Sequence, residues 1–185
     1  MPFIEIIEPE HAEGELKAIY DDLARSRGKV AEVHKIQSLN PKTITSHMDL
    51  YMSVMFGKSP IKRVVREMMA VVVSVSNRCE YCTIHHLEAV QNYWKDEEKL
   101  AALKQDFTTC ELTDKEMALC EYARDVTIAP YKSSEQGYAA KLRDVGFTDR
   151  EILDATLVVS YFNFVNRMVL SLGVELEEAP GGYNY

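Results

Sequence analysis

At 185 residues the chain suits one domain, 1–185, and its 46% hydrophobic and 27% charged residues are ordinary for a globular protein with a real core. A net charge of −8 with no long basic block argues against nucleic acid and anionic membrane surfaces as partners. The N-terminus lacks a signal-peptide pattern, and the longest apolar run, Met68 to Val73, is far too short to span a bilayer. A cytoplasmic address follows, where thiols stay reduced and four cysteines are not expected to form a disulfide framework.

Residues 1–12, with Pro2 and Pro9, read as an extended arm. Leu16, Ile19, Tyr20 and Leu23 have helical spacing within Glu13 to Arg25, and Gly28 marks a break. A second helix is expected over Val33 to Leu39. A Met-rich one follows over Thr43 to Phe56, ended by Gly57, with Met48, Met52 and Met55 as core or subunit-interface residues. Ser59-Pro60 reads as a hydroxyl cap followed by a first-turn proline, opening a helix to about Ser76. Its run from Met68 to Val75 is valine-rich enough to compete as a buried strand, but the whole segment is too long for one. Asn77 and Glu80 resemble a capping box for a helix reaching Trp94. Leu100 to Cys110 reads as a short helix and loop. Thr113 with Glu116 opens a helix that stops before Pro130, Ser134 to Asp144 gives another, and Thr148 with Glu151 opens a last one to Leu172. The tail 175–185 looks loose. Nothing reads as sheet, so the fold class is all-α. Shifting the chain by 84 lays Arg66-Glu67 on Arg150-Glu151, and Cys79 and Cys82 on Asn163 and Asn166, a weak internal repeat in which one copy keeps the reactive groups.

The chemistry gathers between Arg66 and Glu88. Cys79 and Cys82 stand three apart at a helix start, where backbone amides and the helix dipole favour a thiolate. Such a pair can close to a disulfide with little rearrangement. His86, four residues after Cys82, lies on the same face and can take its proton; Glu67, from the preceding helix, can orient that ring. Cys82 is the expected attacking thiolate and Cys79 the resolving thiol. A peroxide would make a sulfenic acid at Cys82, Cys79 would condense with it, and an external dithiol of unknown identity would reduce the pair. His85 is a second candidate base, turned more toward solvent.

Glu67, Cys79-Glu80-Tyr81-Cys82 and His86 together resemble the Glu…Cys-x-x-Cys-x-x-x-His pattern of the alkylhydroperoxidase D (AhpD)-like branch of the carboxymuconolactone decarboxylase superfamily. The stretch from Leu112 to Leu176 is similar to its peroxidase-related group. The resemblance implies a multihelical AhpD-like bundle, a homo-oligomer (trimer or hexamer), and thiol peroxidase or disulfide-reductase activity without metal, haem or other cofactor. It also implies that the second cysteine meets the peroxide. Tyr81 departs from AhpD, which has a histidine there, and this leaves the proton partner of Cys79 open.

Other readings compete. The cysteines could be two core thiols, or two ligands of a zinc site with His86 and one of His85, Cys110 or Cys120, although the spacing is not that of a finger. Glu67 could be a surface partner of Lys62, Arg63 or Arg66, and Tyr81 a packing residue over the thiols. Asn163 and Asn166 are expected to crosslink backbone, Cys120 to fill core, and Arg167 to be ion-paired inside it. A lactone-acid lyase and a non-catalytic redox-sensing oligomer are the alternative functions.

Overall fold

The computed structural model describes residues 1–177, which form ten α-helices and no strand. In order they are α1 (Gly14–Arg27), α2 (Glu32–Lys35), α3 (Pro41–Tyr51), α4 (Arg63–Ser76), α5 (Glu80–Gln91), α6 (Glu97–Asp106), α7 (Asp114–Ile128), α8 (Ser133–Gln136), α9 (Tyr138–Asp144) and α10 (Asp149–Leu172).

The core is built round α4. Ten consecutive residues, Val65 to Ser74, are buried, because α5, α6, α7 and α10 all pack on it. A helix apolar on every side belongs at the centre of a domain, which is why the valine run is helical here. Each fully buried Val or Met there contributes roughly 1.5–3 kcal/mol. A smaller cluster joins Leu16, Tyr20 and Leu23 of α1 to Ile44 of α3. The arm is laid over it: Tyr20 donates to the Ile7 carbonyl (3.0 Å) and the Ile7 amide to Ser38 Oγ (2.8 Å).

Both threonine capping boxes are present, at Thr113/Glu116 and Thr148/Glu151. Other boundaries differ for tertiary reasons. The helix expected to start at Ser59-Pro60 begins at Arg63, because the Ser59 hydroxyl donates to Asp154 of α10 (2.6 Å) and accepts from the Ile61 amide (3.1 Å). The helix expected over Val33 to Leu39 shortens to α2 and decays into three-residue turns. The Met-rich helix ends in a π turn, Met52–Phe56, closed by the Gly57 amide on the Met52 carbonyl (2.9 Å). A Cβ at Gly57 would sit 2.2 Å from the Ser53 carbonyl oxygen, so only glycine closes that turn. Gly137, at φ 61°, divides the segment from Ser134 to Asp144 into α8 and α9. The 84-residue echo pairs the broken α4–α5 segment with the unbroken α10.

By length and composition α10 could cross a membrane, yet Ile152, Ala155, Val158, Val159, Phe162 and Val165 are buried against the other helices. A core helix passes the same test. Glu177 is held by hydrogen bonds, so the expected loose tail is tied at its start; residues 178–185 lie outside the described residues.

Candidate active site

The turn between α4 and α5 makes the site. Arg78 takes φ 59°, the one non-glycine among the described residues in the left-handed region, and this reverses the chain between two helices. Cys79, not Asn77, is the residue capping α5. Asn77 instead donates its side-chain amide to Asn163 and Asn166 of α10, 3.0 Å each, and Asn166 in turn donates to Ser74 Oγ (3.3 Å). The two α10 asparagines therefore pin the turn by its side chain. Arg167, expected inside the core, is exposed and donates to Asn163.

The two sulfurs lie 2.8 Å apart, share a hydrogen bond, and belong to free cysteines. That is within a short movement of the roughly 2.05 Å disulfide bond length. One negative charge on the pair is stabilised by this bond and a second is not. The bond to Cys82 lowers the Cys79 thiol below its ordinary value. The bond from Cys79, then burial and the Cys79 charge, push the Cys82 thiol well above its own. The acidity expected of Cys82 thus falls on Cys79. Access runs the other way: Cys79 is 0% exposed, whereas Cys82 lines a cavity of about 80 Å³.

His86 also lines that cavity, and its Nδ1 lies 2.7 Å from Glu67 Oε2. Glu67 is 1% exposed. Burial alone would raise its carboxyl, but the charge and hydrogen bond of His86, with those of Arg63 at Oε1, outweigh it and hold the carboxyl low. A carboxylate only accepts, so Nδ1 carries a proton in either charge state, and in the neutral form of the ring Nε2 is the bare nitrogen. Phe162 of α10 packs edge-on against this ring at 4.3 Å between centroids. Glu67 is therefore no surface charge; Arg63 is its intrahelical partner and His86 its partner across the turn.

His85 and Tyr81 belong to a different cluster. Tyr81 donates to Glu177 Oε1 (3.1 Å) and accepts from the Val33 amide (3.3 Å), while His85 Nε2 lies 2.9 Å from Glu177 Oε2. Burial opposes charge on Glu177, but its bond to His85, helped by backbone amides, lowers it to about 2. His85, expected near solvent, is buried and donates to this carboxylate. Among the described residues no three His, Cys, Asp or Glu side chains form a metal-binding group. Cys110 bonds the Lys99 carbonyl (3.6 Å), and Cys120 is core.

His47 and Tyr161, which no sequence motif singles out, also line the cavity, and with Gln37 they form a hydrogen-bonded row. They come from positions as distant as 37 and 161 and fit no local motif.

Residues 41–125 match the model of the Carboxymuconolactone decarboxylase family. A crystal structure of an alkylhydroperoxidase AhpD core, an uncharacterized peroxidase-related protein from Ralstonia eutropha JMP134, superposes with TM-score 0.84 at 20% identity, covering 96% of this chain and 93% of that one. An uncharacterized peroxidase-related protein from Silicibacter sp. TM1040 gives 0.80 at 26% identity, covering 96% and 90%. The debrominase Bmp8 gives 0.78 at 16% identity, covering 96% and 94%. The family match runs from α3 into α7, over the helices that carry the thiol pair, and the AhpD-like fold extends over nearly the whole length, so this chain is similar to the carboxymuconolactone decarboxylase superfamily in its central segment and AhpD-like in its fold.

Proposed function

We propose that the protein is a thiol-dependent peroxidase acting on small hydroperoxides. The observation that carries this reading is the shared hydrogen bond between Cys79 and Cys82, beside a histidine whose outer nitrogen is kept bare by Glu67. His86 Nε2 takes the Cys82 proton. The Cys82 thiolate attacks the terminal oxygen of the peroxide, an S–O bond forms, the O–O bond breaks, and an alkoxide leaves and is protonated. The sulfur is oxidised by two electrons and the peroxide reduced by two. Cys79 then attacks the sulfenic sulfur; the S–S bond forms, the S–O bond breaks, and the oxygen leaves as water. A dithiol reductant, by exchange, restores the pair.

The attacking role stays with Cys82 because it has the access. The shared proton lets the charge sit on either sulfur, and the one facing the cavity is the one a peroxide can reach. Reduced thiols of this kind fit a cytoplasmic setting. A lyase acting on a lactone acid has no use for a dithiol, so the intact pair argues against it. The likeness to a debrominase rests on fold alone and adds no substrate.

Stopped-flow mixing with hydrogen peroxide or tert-butyl hydroperoxide should consume two thiols per peroxide. Cys82→Ser should abolish this. Cys79→Ser should keep the first step and accumulate a sulfenic acid that dimedone traps. If Cys79→Ser is inert and Cys82→Ser is trapped instead, the two roles are exchanged. If wild type changes oligomer mass on oxidation without turning over, the redox-sensor reading replaces the enzyme.

A further inference from the structure

The cavity beside Cys82 has a wall that this proton path does not use. It is set by Gln37, whose Nε2 lies 2.8 Å from the Val33 carbonyl oxygen and 2.9 Å from His47 Nδ1. A carbonyl only accepts, so this atom is the amide nitrogen, and it donates to Nδ1 as well. His47 is buried, and desolvation lowers its pKa to about 4, so the ring is neutral at physiological pH. A neutral ring that accepts at Nδ1 carries its proton at Nε2. That nitrogen is 2.7 Å from the Tyr161 hydroxyl oxygen, which therefore accepts. The hydroxyl's own hydrogen has no acceptor among the described residues, although Tyr161 is 5% exposed and lines the cavity. Buried donors are nearly always satisfied, so this one is held ready for a ligand. His34 lies on the same wall, also buried, and its Nδ1 has no partner among the described residues.

We propose that the Tyr161 hydroxyl is a further catalytic group, the donor that receives a peroxide oxygen in this cavity and holds the alkoxide leaving when Cys82 attacks. Gln37 and His47 are positioning residues that aim it. The assignment rests on the peroxidase reading. As the S–O bond forms and the O–O bond breaks, the alkoxide oxygen accepts the Tyr161 hydrogen bond and takes the proton His86 removed from Cys82. Tyr161 keeps its own proton: burial holds the phenol well above the usual tyrosine range, and Gln37 has no proton to resupply His47. A donor already aimed at developing charge stabilises it without reorganisation. At about 80 Å³ the cavity takes a compact, branched alkyl hydroperoxide better than a long-chain one.

Tyr161→Phe removes the hydroxyl and keeps the ring. Its kcat/KM for tert-butyl hydroperoxide should fall roughly 100-fold, the usual cost of losing one such donor. Alkylation of the reduced enzyme by iodoacetamide should change less than about two-fold, since iodide needs no donor. Across hydroperoxides with increasingly acidic leaving alcohols the loss should shrink, which a purely structural defect would not do. Gln37→Leu leaves Tyr161 in place but frees His47 to accept its hydrogen, and should give a smaller loss with the same leaving-group trend. A loss equal in alkylation and peroxide turnover, or flat across leaving groups, overturns the assignment and leaves the peroxidase reading standing. If wild type reduces no hydroperoxide, that reading fails. Binding of tert-butanol, followed by NMR, then decides the subsite: weakening of about tenfold in Tyr161→Phe supports it, and equal binding overturns it.

Discussion

Glu67 answers two partners at once, the Arg63 guanidinium one turn before it and the His86 imidazole across the turn. Glu67→Gln leaves the half-buried Arg63 guanidinium short of its counterion, and the new amide can donate to Nδ1, moving the imidazole proton to the nitrogen that should stay bare. Stability should fall by about 3 kcal/mol, the cost of breaking a buried pair, read from urea denaturation. Peroxide-driven thiol loss should slow by roughly 100-fold in a variant that still folds, the lower end of the range for a general base. An unchanged rate would remove Glu67 from the mechanism. At this scale the sequence was informative where contacts are local. Cys79, Cys82 and His86 share a helical face by spacing alone, whereas pairing Glu67 with His86 needed a turn whose geometry is not local. Which thiol is the more acidic was not legible, because it depends on a 2.8 Å contact and on burial.

Between elements, side chains override local signals. Asn77 has the composition of a cap, yet its amide is used by α10 and the chain turns at Arg78 instead. Thr113 and Thr148 cap as expected, because their boxes close within three residues. Glu177 shows the same competition at the end of the described chain, tying it to α5 through Tyr81 and His85 and to the Glu32 amide (3.3 Å). Its carboxyl titrates below the ordinary glutamate value, so the tie is intact at neutral pH and is lost only as pH falls toward about 2. Glu177→Gln should speed amide exchange around Glu32 and Val33 about tenfold, for roughly 1.5 kcal/mol of lost charge-assisted hydrogen bonding. Exchange indistinguishable from wild type by mass spectrometry would mean the tie does not hold these elements.

The whole molecule carries two neutral histidines in its cavity wall. His34 and His47 are lowered by burial from 6.5 to about 3 and about 4. The unfolded chain therefore takes up their protons first. Stability is full above about pH 6.5 and falls as pH drops below it. At pH 5 each ring costs roughly 2 kcal/mol. The guanidinium midpoint should drop between pH 7.5 and 5, and His34→Phe should remove about half of the change; an unchanged midpoint at pH 5 counts against neutral burial. We also propose a homo-oligomer, trimer or hexamer. Leu153, Leu157 and Phe164 of α10 are 54%, 43% and 49% exposed on a single chain, an apolar face suited to a second copy. Light scattering should give a multiple of the 21.1 kDa chain mass, and Leu153→Glu with Leu157→Glu should lower it; a monomer at micromolar concentration would defeat the idea.

The sequence by itself determined that the chain is helical, where most helices lie, and that two thiols and an imidazole share one face. Each of these follows from interactions spanning a few residues, and such interactions survive any tertiary arrangement. Only the tertiary structure decided that Glu67 reaches His86, that α10 supplies the asparagines gripping the turn, and that Gln37, His47 and Tyr161 form one row. Those contacts join segments up to 114 residues apart, and only the packing of α4 against its neighbours brings them within hydrogen-bonding distance.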